Sequence, residues 1–150
     1  MAATFEYLAG IIDGDGCVSL HKKKDAKSRG GYSWSPYLSI TSKDRWYLET
    51  LQKDFGGCID QSGKSAFNSN KVHALRFSTN EIRNLLPKIL PHLIYKKEEA
   101  IKLLEAVTIT GKLTYRTAPR SDEDRGILER IFIIMKDLKK ERRTYRGGYI

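Results

Sequence analysis

The sequence predicts a single α+β domain in which two β-hairpins form a four-stranded antiparallel sheet with helices on one face. Three observations carry this. Apolar residues recur at helical spacing before residue 15, between residues 45 and 55, and repeatedly after residue 81. After each of the first two helical stretches, apolar and polar residues alternate on either side of a polar turn, as in a half-buried hairpin. A length of 150 residues with 40% hydrophobic residues suits one core.

In chain order, Thr4 is placed to cap a first helix carrying Glu6 in its first turn and Leu8, Ile11 and Ile12 along it. From Cys17, Val18 and Leu20 alternate with Ser19 and His21. A turn through Lys27, Ser28, Arg29, Gly30 and Gly31 leads back to Tyr32, Trp34, Tyr37, Leu38 and Ile40. Asp44 caps a second helix with Trp46, Tyr47, Leu48, Leu51 and Phe55, stopped by Gly56 and Gly57. Cys58 to Asp60 and Val72 to Phe77 make the second hairpin around a turn from Gln61 to Asn70. Ser78 and Glu81 have capping-box spacing for a third helix, in which Pro87 must lie near an end or force a kink. Lys96 and Lys97 open a helix that Gly111 ends, and Lys112 to Arg120 read as a polar connector. Ser121 and Asp124 start the last helix, through Ile127, Leu128, Ile131, Phe132, Met135 and Leu138. The domain then spans residues 1–141, with residues 142–150 a loose basic tail.

With 27 Lys and Arg against 18 Asp and Glu, the formal charge of +9 points to a polyanionic partner, nucleic acid first. The basic residues cluster at Lys22, Lys23, Lys24, Lys27 and Arg29, and again at Lys136, Lys139, Lys140, Arg142, Arg143 and Arg146. Cys17 and Cys58 lie in no CxxC pair and suit a reducing compartment, while His21, His73 and His92 have no metal-ligand spacing. No secretory segment and no membrane-length apolar run is seen. The expected location is intracellular, in the cytoplasm of a prokaryote or archaeon or in an organelle.

The most informative stretch is Leu8 to Gly16. Gly10 and Gly14 share one helical face, and a face without side chains lets two helix backbones approach closely. Glycine costs a helix about 1 kcal/mol relative to alanine, so two in one short helix call for such a reason. Asp15 falls where the helix dipole is negative and the last carbonyls lack partners. A divalent cation such as Mg²⁺ or Ca²⁺, bound by carboxylate and carbonyl oxygens, removes that conflict. The alternative is an ordinary helix stop, with Gly14 and Gly16 as caps and the aspartates solvated.

The nine residues Leu8-Ala9-Gly10-Ile11-Ile12-Asp13-Gly14-Asp15-Gly16 closely resemble the signature of the LAGLIDADG homing endonucleases. One copy in a short chain resembles their homodimeric branch. The resemblance covers most of the chain, is weakest beyond residue 111, and implies an α-β-β-α-β-β-α fold. It implies an intron-encoded enzyme that makes Mg²⁺-dependent double-strand breaks with 3′ overhangs in a long pseudo-palindromic DNA site, Ca²⁺ or Mn²⁺ being substitutes. It makes Asp15 the catalytic metal ligand, with the Gly14 carbonyl beside it, and gives the active-site lysine role to Lys96, with Lys97 as the register alternative. Ser42 stands where the family often has glutamine. Leu8, Ala9, Gly10, Ile12, Asp13 and Gly14 would form the dimer interface. For double-stranded DNA, the polar sheet face offers Ser19, His21, Lys23, Ser33, Ser35, Tyr37, Ser39, Asp60 and Arg76 to base edges. Lys27, Arg29 and Lys64 would contact phosphates. The competing class is a non-cleaving LAGLIDADG RNA maturase or DNA-binding regulator, the only case in which RNA is a partner. The intact Asp15 speaks against it.

Overall fold

The computed structural model describes residues 2–28, 30–62, 72–110 and 121–147. Its elements are α1 (Phe5–Asp15), β1 (Gly16–Lys24), β2 (Tyr32–Ser42), α2 (Arg45–Phe55), β3 (Cys58–Ser62), β4 (Val72–Arg76), α3 (Thr79–Ile89), a 3₁₀ turn (Leu90–His92), α4 (Lys97–Thr110) and α5 (Asp122–Gly147). The strands form one antiparallel sheet in the order β1-β2-β4-β3. This is the α+β plan expected from the sequence.

Strand alternation separates the two sheet faces. Val18, Leu20, Trp34, Leu38, Ile40 and Leu75 are buried in one core with Leu8 and Ile12 of α1, Leu48 of α2, Leu86 of α3, Leu103 of α4 and Leu128 of α5. The opposite face carries Cys17, Ser19 and His21, paired in register with Ser39, Tyr37 and Ser35. Ser39 in turn lies opposite Arg76, and Arg76 opposite Cys58. Among the described residues, no helix is long and apolar enough to cross a membrane.

Local chemistry sets the helix ends. Thr4 accepts a hydrogen bond from the Tyr7 N–H (3.2 Å) and Asp44 from the Tyr47 N–H (3.2 Å). Ser78 and Glu81 form the full capping box, and the Glu81 carboxylate also accepts the Gly57 N–H at 2.6 Å. That bond ties the exit of α2 to the start of α3. Gly16 ends α1 and begins β1 at once, and a Cβ there would lie 2.6 Å from the Ile12 Cα. The chain can therefore leave the helix directly into the sheet only through glycine.

Pro87 sits two residues before the end of α3, which the 3₁₀ turn follows, so it marks an end. The last helix departs from expectation. It runs to Gly147, past residue 141, because Arg142 pairs with Glu99 of α4 and gives the basic stretch a packed partner. Gly111, Lys112 to Arg120 and most of the second hairpin turn lie outside the described residues.

Ser78→Ala should cost about 1 kcal/mol in urea unfolding, the usual loss for one cap. Glu81→Ala should cost more, about 2 kcal/mol, because its charged carboxylate serves both Ser78 and Gly57. Equal losses would mean that the Gly57 bond contributes nothing.

Candidate active site and nucleic-acid face

The C-terminal end of α1 is held by a reciprocal exchange with the segment before α4. The Asp13 carboxylate accepts the N–H groups of Ile94 (2.8 Å) and Lys96 (2.9 Å). In return, Lys96 Nζ donates to the carbonyls of Ile12 (2.9 Å) and Gly16. The Ile12 carbonyl also accepts the Gly16 N–H, so the ammonium is a second donor to it, and a cation suits the negative pole of the helix there. Burial, then the charge of Arg142, pushes the Lys96 pKa below its ordinary value.

This arrangement leaves Asp15 outside the lock. It is exposed at the terminus of α1, and among the described residues its carboxylate accepts no hydrogen bond. On one side lies Tyr47, whose hydroxyl is 3.4 Å from that of Tyr7. Burial, the Tyr7 hydroxyl and the charge of Asp15 all push the Tyr47 pKa up. Close by, a cleft of about 290 Å³ is lined by Gly14 and Gly16 of α1 and β1, by Cys17 and Lys96, and by Lys139, Arg142 and Arg143 of α5. Cys17 belongs to the polar sheet face, so the cleft opens where that face begins.

Arg142 is the anchor of the α5 wall. It pairs with Glu99, which is 1% exposed, and its guanidinium lies 4.3 Å from the Tyr95 ring centroid. Lys139, one turn earlier, is partly buried. Burial lowers its pKa, with Cys17 pulling it up and Arg143 pushing it down. Sequence reasoning missed Cys17, Tyr95, Glu99, Lys139 and Arg142 as site neighbours. The basic cluster at 136–143 was visible, but no local pattern says that it closes over the end of α1.

A row of side chains crosses the polar sheet face. The His21 ring stacks on Tyr37 at 4.4 Å, the Arg76 guanidinium lies 5.5 Å from the Tyr37 centroid, and Arg76 Nε is 3.5 Å from Asp60 Oδ2. Arg76 is thereby held from two sides and remains exposed. Burial, then the charges of Lys23, Lys139 and Arg76, lowers the His21 pKa, so the ring is neutral at pH 7 and offers one donor and one acceptor. Ser19 and Ser33 are partly exposed on this face, and Ser35 and Lys23 are exposed, as is Lys27 in the first hairpin turn. Lys22 faces the helices instead, paired with Glu129 at 2.8 Å and lying over Tyr32, Trp34 and Phe132.

Several expectations need correction. Ser39 is 1% exposed, enclosed at the centre of the sheet between Cys17 and Arg76, and cannot reach a base edge. Leu8, Ala9 and Ile12 are fully buried in this chain's own core, so they do not face a second copy. Asp13 is engaged within the chain. Gly10 and Gly14 are exposed with open space where a Cβ would be, and they keep the bare face of α1. The Ser42 hydroxyl accepts the Asp44 N–H at 3.0 Å, a local turn role. Arg29 and Lys64 lie outside the described residues.

Removing Asp13 leaves two backbone N–H groups without their acceptor, so Asp13→Ala should destabilise the chain by about 2–3 kcal/mol in urea unfolding at any protein concentration. A loss that vanishes on dilution would instead place Asp13 between subunits. Arg76→Ala removes a charge that disfavours the imidazolium, so the His21 midpoint followed by NMR should move up. Because the folded-state histidine pKa is held low, stability falls as pH drops below the ordinary histidine value.

Comparison with known proteins agrees with this geometry. A family described as LAGLIDADG endonuclease matches residues 8–117. No curated protein sequence matches the chain. Among solved structures, I-CvuI in complex with the I-CreI target in the presence of Mg is similar over 90% of this chain and 79% of its own, at 19% identity and TM-score 0.69. The homing endonuclease I-TnaI is similar over 93% and 96%, at 18% identity and TM-score 0.71. I-SmaMI bound to an uncleaved DNA target with calcium ions is similar over 87% of this chain but 44% of its own, at 22% identity and TM-score 0.70. The nine-residue signature at the end of α1, the polar antiparallel sheet beside it and the match over residues 8–117 have one explanation, that this chain belongs to the LAGLIDADG endonuclease family.

Proposed function

We propose that the protein is a sequence-specific homing endonuclease, intron-encoded, that acts as a homodimer. It makes Mg²⁺-dependent double-strand breaks with 3′ overhangs in a long, nearly palindromic DNA site. It acts wherever that DNA resides, in the cytoplasm of a prokaryote or archaeon or in an organelle. The observation that carries this reading is the exposed Asp15, left unpaired by the Asp13–Lys96 lock at the point where a cationic cleft meets a polar sheet.

The donor set suits a hard divalent cation but is incomplete in one chain. Asp15 and the Gly14 carbonyl are oxygen donors, and among the described residues no group of three or more His, Cys, Asp or Glu could hold a metal ion. Phosphate oxygens and a second chain complete it. Bound there, Mg²⁺ supplies Lewis acidity and an activated water for phosphodiester hydrolysis. The chain's own residues do the rest. Arg76, His21 and Tyr37 orient the duplex through the major groove, Lys23 and Lys27 bind phosphates, and Lys96 holds the end of α1 so that Asp15 stays aimed outward. Cutting two strands needs two such termini. The open face of α1 at Gly10 and Gly14 is where two copies can cross about a two-fold axis.

Incubation with a randomised DNA library and Mg²⁺ should yield discrete breaks with cohesive ends. Asp15→Asn should lower cleavage at least about a hundredfold, the scale of one transition-state ligand, with DNA affinity retained. Cleavage indifferent to Asp15→Asn would contradict the proposal. Stable RNA binding without cuts would favour a maturase.

A further inference from the structure

We infer that Lys139 is a catalytic lysine that holds the scissile phosphate across the cleft from Lys96, whose own ammonium is spent on the end of α1, and that the Glu99–Arg142 pair is the anchor that delivers it. The inference rests on the endonuclease reading above. The cleft beside Asp15 has four cations, Lys96, Lys139, Arg142 and Arg143, and one carboxylate, Glu99. Two of the four are already engaged: Lys96 donates to two carbonyls, and Arg142 pairs with Glu99. Arg143 is exposed at the rim.

Lys139 is different. It is partly buried in the cleft wall, and among the described residues it makes no ion pair with a carboxylate. A cation drawn out of water without a counter-ion is costly, and an anion entering the cleft removes that cost. The anion that the neighbouring chemistry supplies is a phosphodiester. As the water oxygen bonds to phosphorus and the ester P–O bond breaks, the water gives up a proton to solvent and the leaving oxygen takes one from solvent, while negative charge builds on the non-bridging oxygens. An ammonium held in place beside them binds that state better than the ground state, with no proton transfer of its own required.

The anchor explains why Lys139 is held there. Arg142 lies three residues on and so on the same face of α5, fixed by a buried carboxylate and the Tyr95 ring. The last turns of α5 are therefore docked over the cleft before DNA arrives. Glu99 and Tyr95 act through Arg142 as positioning residues.

The test is single-turnover cleavage at saturating enzyme, alongside target affinity measured with Ca²⁺ in place of Mg²⁺. Lys139→Met should slow cleavage about a hundredfold with affinity within about threefold, and Lys139→Arg should recover part of the rate. Lys102→Ala, at a lysine paired with Glu105 and outside the cleft, should change neither quantity. Glu99→Gln should give a smaller loss that adds little on top of Lys139→Met, because both remove one device. Lys139→Met cutting at the wild-type rate, or losing affinity while its saturated rate is unchanged, would overturn the inference and leave the endonuclease reading standing. A wild-type protein that cuts nothing overturns both.

Discussion

The exchange between Asp13 and Lys96 is the constraint on which the rest of the site depends. A helix that ends in two carboxylates sets them against its own negative pole. Here one short segment offsets that conflict, its backbone N–H groups taking the Asp13 carboxylate while the Lys96 ammonium takes the carbonyls of Ile12 and Gly16. The bonds are charge-assisted and the three made by Lys96 are partly buried, which makes them worth more than exposed pairs such as Arg45–Glu49, whose contribution is at most about 1 kcal/mol. Asp13 thereby becomes structural, and Asp15, two residues on, remains open.

The remaining architecture places a polar sheet face and a cationic cleft beside that terminus. Because Gly16 lets α1 pass straight into β1, the sheet begins at the site, and the row from His21 through Tyr37 and Arg76 to Asp60 extends away from it. One face of the sheet is committed to the core, so the other is left open. On the helix side, Lys22 ties the first hairpin to Glu129, and Arg142 ties the end of α5 to Glu99. The second of these ties closes the cleft wall.

Much of the fold could be read directly from the residues. Thr4, Asp44 and Ser78 are the caps that their spacing indicated, and the alternation of Val18, Leu20, Trp34, Leu38 and Ile40 located the buried face correctly. These are local rules acting over a few residues. What local pattern could not resolve is the choice of distant partners. Asp13 looked like a contact between chains until its acceptors were used at Ile94 and Lys96, more than eighty residues away. Leu8, Ala9 and Ile12 looked available to a partner because a helix face carries no record of which layer covers it. Ser39 had the parity of a recognition residue but not the position, since a central strand position can be enclosed by its neighbours. The stretch after residue 141 reads as a tail because Glu99, which tethers it through Arg142, is more than forty residues upstream.

The central claim is that one chain carries half of a cleavage site and that two acidic termini must meet over one duplex. The most direct measurement is the mass of the protein–DNA complex by light scattering on a single target duplex in Ca²⁺. Two chains per duplex is the result the account predicts. One chain per duplex, with the DNA still cut on both strands when Mg²⁺ is added, would contradict it.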